Sequence, residues 1–293
     1  MPNNTQSNNK TLIIAAILIL YFVWGSTYLA NKIALETMPP FQMLGYRLLI
    51  AGAILFTILK LKGVKNPTKI EFRNTVIVGI LLLNGGLGIV SFAQQWVSSG
   101  LAAIVVSTMP LWLSLFLRFF GEKTSRTEIL AMIAGIIGVF LLTGEASLKL
   151  NPLAPIVFIG PISWALGSAL SRKLAQPSGL MASAIQMFTA GSLFFLIALA
   201  KNQLLVVPSA RSLVAVIYLI IFGAIIAFSA YVFLLGQNIR PALITSYAYV
   251  NPAIAVLLGI FFAHEQFTNK AYLGMLIILI SVIVVISKKA QKS

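Results

Sequence analysis

The chain has no cysteine and no aspartate, one histidine, and only six acidic residues, all of them glutamate. Without cysteine there are no disulfides and no thiolate metal sites. Without aspartate there is no paired-aspartate protease centre, and a serine nucleophile would have only His264, at the end of an apolar run, as its base. No glycine-rich phosphate loop and no metal-ligand spacing occurs, so ATP-driven pumping by this chain is excluded and neither cofactor nor metal is expected. The glutamates (Glu36, Glu71, Glu122, Glu128, Glu145, Glu265) all fall in loops or at segment ends. No carboxylate therefore sits at mid-membrane depth, which argues against simple cation–proton antiport.

Charge of any sign is scarce. Charged residues make up 9% and apolar residues 59% of 293 residues, against roughly 25% charged in a soluble domain. A lipid-spanning helix takes about 20 apolar residues, so the chain accommodates about ten spans joined by short loops. The expected class is an all-α integral membrane protein with the lipid bilayer as its surroundings. Residues 1–10 are polar and lack the basic region of a secretory signal, so the first apolar segment is read as a retained anchor.

The net charge of +15 does not indicate nucleic acid, because the basic residues are scattered over short loops. Placing the N-terminus in the cytoplasm assigns 15 of the 21 Lys and Arg residues to that side and five to the other, with Arg47 inside a span. That bias predicts cytoplasmic N- and C-termini.

The expected spans are 11–34, 41–61, 74–98, 101–120, 127–143, 153–174, 180–200, 213–235, 241–263 and 271–286. They group into a tail (1–10), a first unit (11–144), a linker (145–152), a second unit (153–287) and a basic tail (288–293). The units echo each other. Trp24 aligns with Trp164, Ala51-Gly52 with Ala190-Gly191, Pro110 with Pro252, Glu122 with Glu265, and Gly138 with Ser281. Five spans is an odd number, so the second copy enters the membrane from the opposite side. The expected fold is ten transmembrane helices as two inverted five-helix repeats.

The order Trp24-Gly25-Ser26, Arg47, Pro110 and Phe119-Phe120-Gly121-Glu122 resembles the EamA family of the drug/metabolite transporter superfamily. The second half repeats it with Trp164, Pro252 and Phe261-Phe262-Ala263-His264-Glu265. The sequence departs from the pattern where His264 precedes the second glutamate and where Gln186 stands in the place of Arg47. The resemblance implies a central cavity lined mainly by segments one, three, four, six, eight and nine. It also implies secondary transport across the inner membrane, often export, of amino acids, related amphipathic solutes or drugs. Alternating access is the expected mechanism, with a passive uniporter or a drug-efflux carrier as the alternative. A non-transporting sensor or an intramembrane enzyme ranks below both, and homodimerisation is left open.

Candidate site residues follow from polar positions in apolar helices, which must find a partner or line a cavity. Asn84, Gly88, Ser91 and Gln95 stand at helical spacing on one face of segment three. Trp24, Tyr28 and Asn31 do so on segment one, Trp164 and Ser168 on segment six, and Tyr249 with Asn251 on segment nine. Small polar residues of this kind also serve as interhelical glue. Pro110 and Pro252 each remove a backbone donor and mark helix breaks or hinges. Arg47, the ionisable group well inside a span, is assigned either to an anion or to the fold.

Overall fold

The structure is a computed structural model that describes residues 4–121, 126–142, 151–177, 179–237, 239 and 241–287. The expected linker residues 145–150, Glu122 and the tail 288–293 lie outside them. Among the described residues every regular element is helical. Seven helices are long and apolar enough to cross a membrane: α1 (Lys10–Ala34), α2 (Pro40–Leu61), α3 (Lys69–Ala93), α4 (Ser99–Phe119), α6 (Ala154–Ser171), α7 (Gly179–Ala200) and α8 (Ala210–Leu235). Three further helices are α5 (Arg126–Leu142), α9 (Tyr247–Ala263) and α10 (Asn269–Ser287). The chain is a multi-pass helical membrane protein. Large apolar side chains such as Phe22, Leu130, Leu199, Val214, Phe261 and Leu276 are exposed on its outside, as a lipid-facing surface requires.

Local sequence fixes the helix ends. Pro39 is extended (φ −57, ψ 144) and Pro40 opens α2, where a missing N–H costs nothing. Thr68 and Glu71 form a reciprocal capping box at the start of α3. Ser98 and Ser209 accept from the backbone N–H groups of Leu101 and Ser212 at the starts of α4 and α8. α9 ends on His264 in the left-handed conformation (φ 52). Gly121, at the corresponding end of α4, has φ 89. The extra residue in Phe-Phe-Ala-His-Glu thus supplies through histidine the turn that glycine makes in Phe-Phe-Gly-Glu.

Close packing rests on small residues. A Cβ placed on Gly52 would meet the Phe188 backbone, and one on Gly191 would meet the Leu48–Leu49 backbone, so these paired glycines let α2 and α7 touch main chain to main chain. Gly138 brings α5 equally close to α10, where a Cβ would lie 2.8 Å from Ile278. The principal contacts pair α2 with α7, α5 with α10 and α4 with α9. They also pair α1 with α8 and α9, α6 with α3 and α4, α2 with α8, and α7 with α3. Exchanging each helix for the one five places along leaves this set unchanged.

Three helices depart from α geometry. α1 is π-helical over Leu20–Trp24, α3 over Ile80–Gly88 and α8 over Leu219–Phe228. A π turn moves each N–H to the carbonyl five residues back, displacing carbonyls that need other donors in lipid. Neighbouring helices supply them. Ser163 of α6 donates to Leu81 O at 2.8 Å, and Trp24 Nε1 of α1 donates to Gly223 O at 3.3 Å. Asn251 of α9, with its amide turned so that nitrogen faces these acceptors, donates to Tyr21 O at 2.9 Å and Leu20 O at 3.1 Å.

The proline breaks differ from the expected interior kinks. In the first half the break is a turn at Ser107–Thr108, and Pro110 sits in the first turn of the helix Met109–Phe119 that follows it. In the second half the turn is at Thr245–Ser246, and Pro252 lies inside the helix beyond it. Proline at a helix start loses no intrahelical bond, so Pro110 begins a rod and Pro252 interrupts one.

Candidate functional site

A cavity with an empty volume of ≈ 730 Å³, part of it open to the outside, lies between the helices. The part open to the centres of water molecules is ≈ 70 Å³, where one water needs about 10–15 Å³, so it has room for a small solute. Its wall takes Trp24, Thr27, Tyr28 and Asn31 from α1, and Leu83, Gly86, Val90, Ser91 and Gln94 from α3. Gly160, Pro161 and Trp164 come from α6, Gly223, Ala224 and Phe228 from α8, Val106 from α4 and Tyr247 from α9. α2 adds Arg47 and Leu48, a helix outside the set implied by the resemblance. Many of these residues belong to the three π-helical segments, where the widened backbone opens space.

An aromatic cluster closes the deep end. Trp24 and Trp164, the pair related by the repeat, meet edge to face with centroids 5.5 Å apart. Tyr231 and Tyr247 each lie 5.1 Å from Trp24. Behind them the Ser168 and Tyr231 hydroxyls share a hydrogen bond of 2.7 Å, and Ser168 also donates to Trp164 O. Edge-to-face rings gain beyond burial alone and hold one another's orientation.

An amide network joins α1 to α3 toward the ends of both helices. Asn31 Nδ2 donates to Gln94 Oε1 at 2.6 Å, Ser91 Oγ donates to Asn31 Oδ1 at 3.2 Å, and Gln94 Nε2 donates to Tyr28 O at 3.2 Å. Lys32 Nζ donates to Gln94 O at 2.8 Å and Val97 O at 3.3 Å, meeting carbonyls at the end of α3.

Arg47 is 3% exposed. Its guanidinium lies against Gly223, where a Cβ would fall 2.8 Å from a terminal nitrogen. A side chain there would press on the guanidinium and displace it. Arg47 Nε finds no acceptor. Arg211 pairs with Glu36 at 3.4 Å, both of them exposed.

The structure brings together six of the expected residues, Trp24, Tyr28, Asn31, Arg47, Ser91 and Trp164, around one cavity. Others stand elsewhere. Asn84 turns to α7 and donates to Ala190 O at 3.3 Å, and Gln95 folds back onto Phe92 O. Ser168 lies behind the aromatic cluster, and Asn251 is spent on the α1 π turn. The side chain of Tyr249 lies outside the described ones. Neither Pro110 nor Pro252 reaches the wall. Sequence reasoning missed Thr27, Gln94, Phe228 and Tyr247. Gln94 sits beside the glutamine that was chosen, and Tyr247 two residues before the expected tyrosine.

A multi-pass helical bundle with a solute-sized cavity enclosed by both halves of its chain defines a membrane transporter. The sequence matches the EamA-like transporter family model over residues 11–144 and again over 153–287. The chain belongs to that family. It is 41% identical over 276 residues, 93% of this chain and 90% of the relative, to the uncharacterized inner membrane transporter YedA of Escherichia coli strain K12. It is 25% identical to Protein PecM of Dickeya dadantii, covering 90% of this chain and 88% of that one. A solved crystal structure at 21% identity has a TM-score of 0.69 and covers 94% of this chain and 96% of its own, and so shares the fold.

Proposed function

We propose that the chain is a secondary carrier of the inner membrane that exports small amphipathic metabolites, amino acids or close relatives, by alternating access. The observation that carries this reading is the cavity itself, walled by helices of both halves and floored by the Trp24–Trp164 pair. Helix contacts that survive exchange of the halves support two inverted five-helix repeats with ten crossings. Rocking one half against the other would open the cavity to alternate sides. The loop charge bias supports cytoplasmic termini. The name of the YedA relative supports the inner membrane.

A second reading, a passive facilitator, is favoured by the lack of any carboxylate among the described residues of the cavity wall, since coupling to protons needs a group that titrates with the cargo. Proteoliposomes separate the two. A carrier shows counterflow driven by trapped solute, and a coupled one also responds to an imposed pH gradient. A facilitator ignores the gradient. Folded protein in tight vesicles that moves none of a broad metabolite panel overturns both.

A further inference from the structure

We infer that Arg47 forms a seat for the carboxylate of the transported solute, so that the cargo is a monoanionic or zwitterionic acid with an apolar body. The inference rests on the carrier reading and deepens it. The Arg47 guanidinium is almost wholly buried, belongs to the cavity wall, and finds no acceptor for its Nε among the described residues. Buried donors in a folded protein are almost always paired and a buried charge without a partner is costly, so the guanidinium points to an acceptor that arrives from outside.

Charge narrows the class. Among the described residues Arg47 is the one cation in the cavity wall, and no carboxylate shares that wall. A guanidinium held in an apolar surrounding keeps its proton and favours a planar acceptor of single negative charge. A phosphate dianion would remain half neutralised, and a cationic solute would face the guanidinium directly. The aromatic floor and Leu48, Leu83 and Phe228 complete the surrounding for an apolar body.

The test uses the full-length protein in detergent and reads quenching of tryptophan fluorescence. The probes are phenylacetate, phenylacetamide, benzylamine and inorganic phosphate, with leucine and leucinamide as a second matched pair. The seat predicts that an acid binds at least tenfold tighter than its own amide, and that benzylamine and phosphate leave the signal unchanged. Arg47→Gln should abolish the acid–amide difference with the protein still monodisperse, and Arg47→Lys should restore part of it. Should Arg47→Gln fail to fold, the wild-type acid–amide ratio still decides. Equal binding of acid and amide overturns the seat but leaves the cavity as the solute site. Binding of phosphate or benzylamine in preference to the acids overturns it as well. No response to any probe overturns the seat and the cavity reading together.

Discussion

Glu265 carries the clearest quantitative prediction. Its carboxylate accepts from Ser99 N at 2.6 Å and Gly100 N at 3.0 Å. Leu101 N is taken by Ser98 Oγ and Ala102 N by Ser98 O. The Ser99, Gly100 and Leu101 N–H groups at the start of α4, which the helix cannot satisfy for itself, are thus accounted for, two of them by one side chain just past the end of α9. Glu265→Ala strands those two. Charge-assisted bonds contribute about 1.5–3 kcal/mol each, and the carboxylate gains a further ~0.5 kcal/mol from the helix dipole. With partial rescue by water, the expected loss is about 3–5 kcal/mol. For a chain of 293 residues that lowers Tm by roughly 5–8 °C. Glu265→Gln keeps one acceptor oxygen and should lose about half as much. Heating detergent-solubilised protein and following the monodisperse peak by size exclusion measures both variants. A Glu265→Ala protein that melts within about 2 °C of wild type would refute the capping argument.

Three further substitutions follow from the packing. Gly25→Trp should abolish counterflow or folding, because even a Cβ at this position would lie 2.8 Å from Ile254 Cβ on α9; full transport activity would contradict that contact. Asn251→Ala should cost about 1–3 kcal/mol by stranding two carbonyls of the α1 π turn, read as a lower melting temperature. His264→Gly should raise stability by about 0.5–1 kcal/mol, since glycine adopts the left-handed turn without steric cost, and a lowered Tm would count against it.

The membrane class and helix runs were legible because composition and run length alone demand them. Arg47 and the Trp24–Trp164 pair were legible for a different reason: a charge or indole deep in lipid has few acceptable surroundings, and the repeat marked the indoles as partners. The stripe Asn84, Gly88, Ser91 and Gln95 failed because it assumed 3.6 residues per turn through Ile80–Gly88, which is π-helical. That shift sends Asn84 to α7 while Ser91 faces the cavity. π turns depend on tertiary donors such as Ser163 and Asn251, so no local pattern announces them. Asn251, expected at the site, serves the α1 π turn instead for this reason. The His264 departure became intelligible only with its φ, which matches the sign of φ at Gly121.

Solute counterflow in proteoliposomes tests the central claim most directly. With leucine-like acids trapped inside, the account predicts saturable uptake of labelled solute that needs the trapped solute, and its loss in Trp24→Ala protein that remains monodisperse. Uptake unaffected by Trp24→Ala, or no counterflow of any solute by folded protein in sealed vesicles, would contradict it.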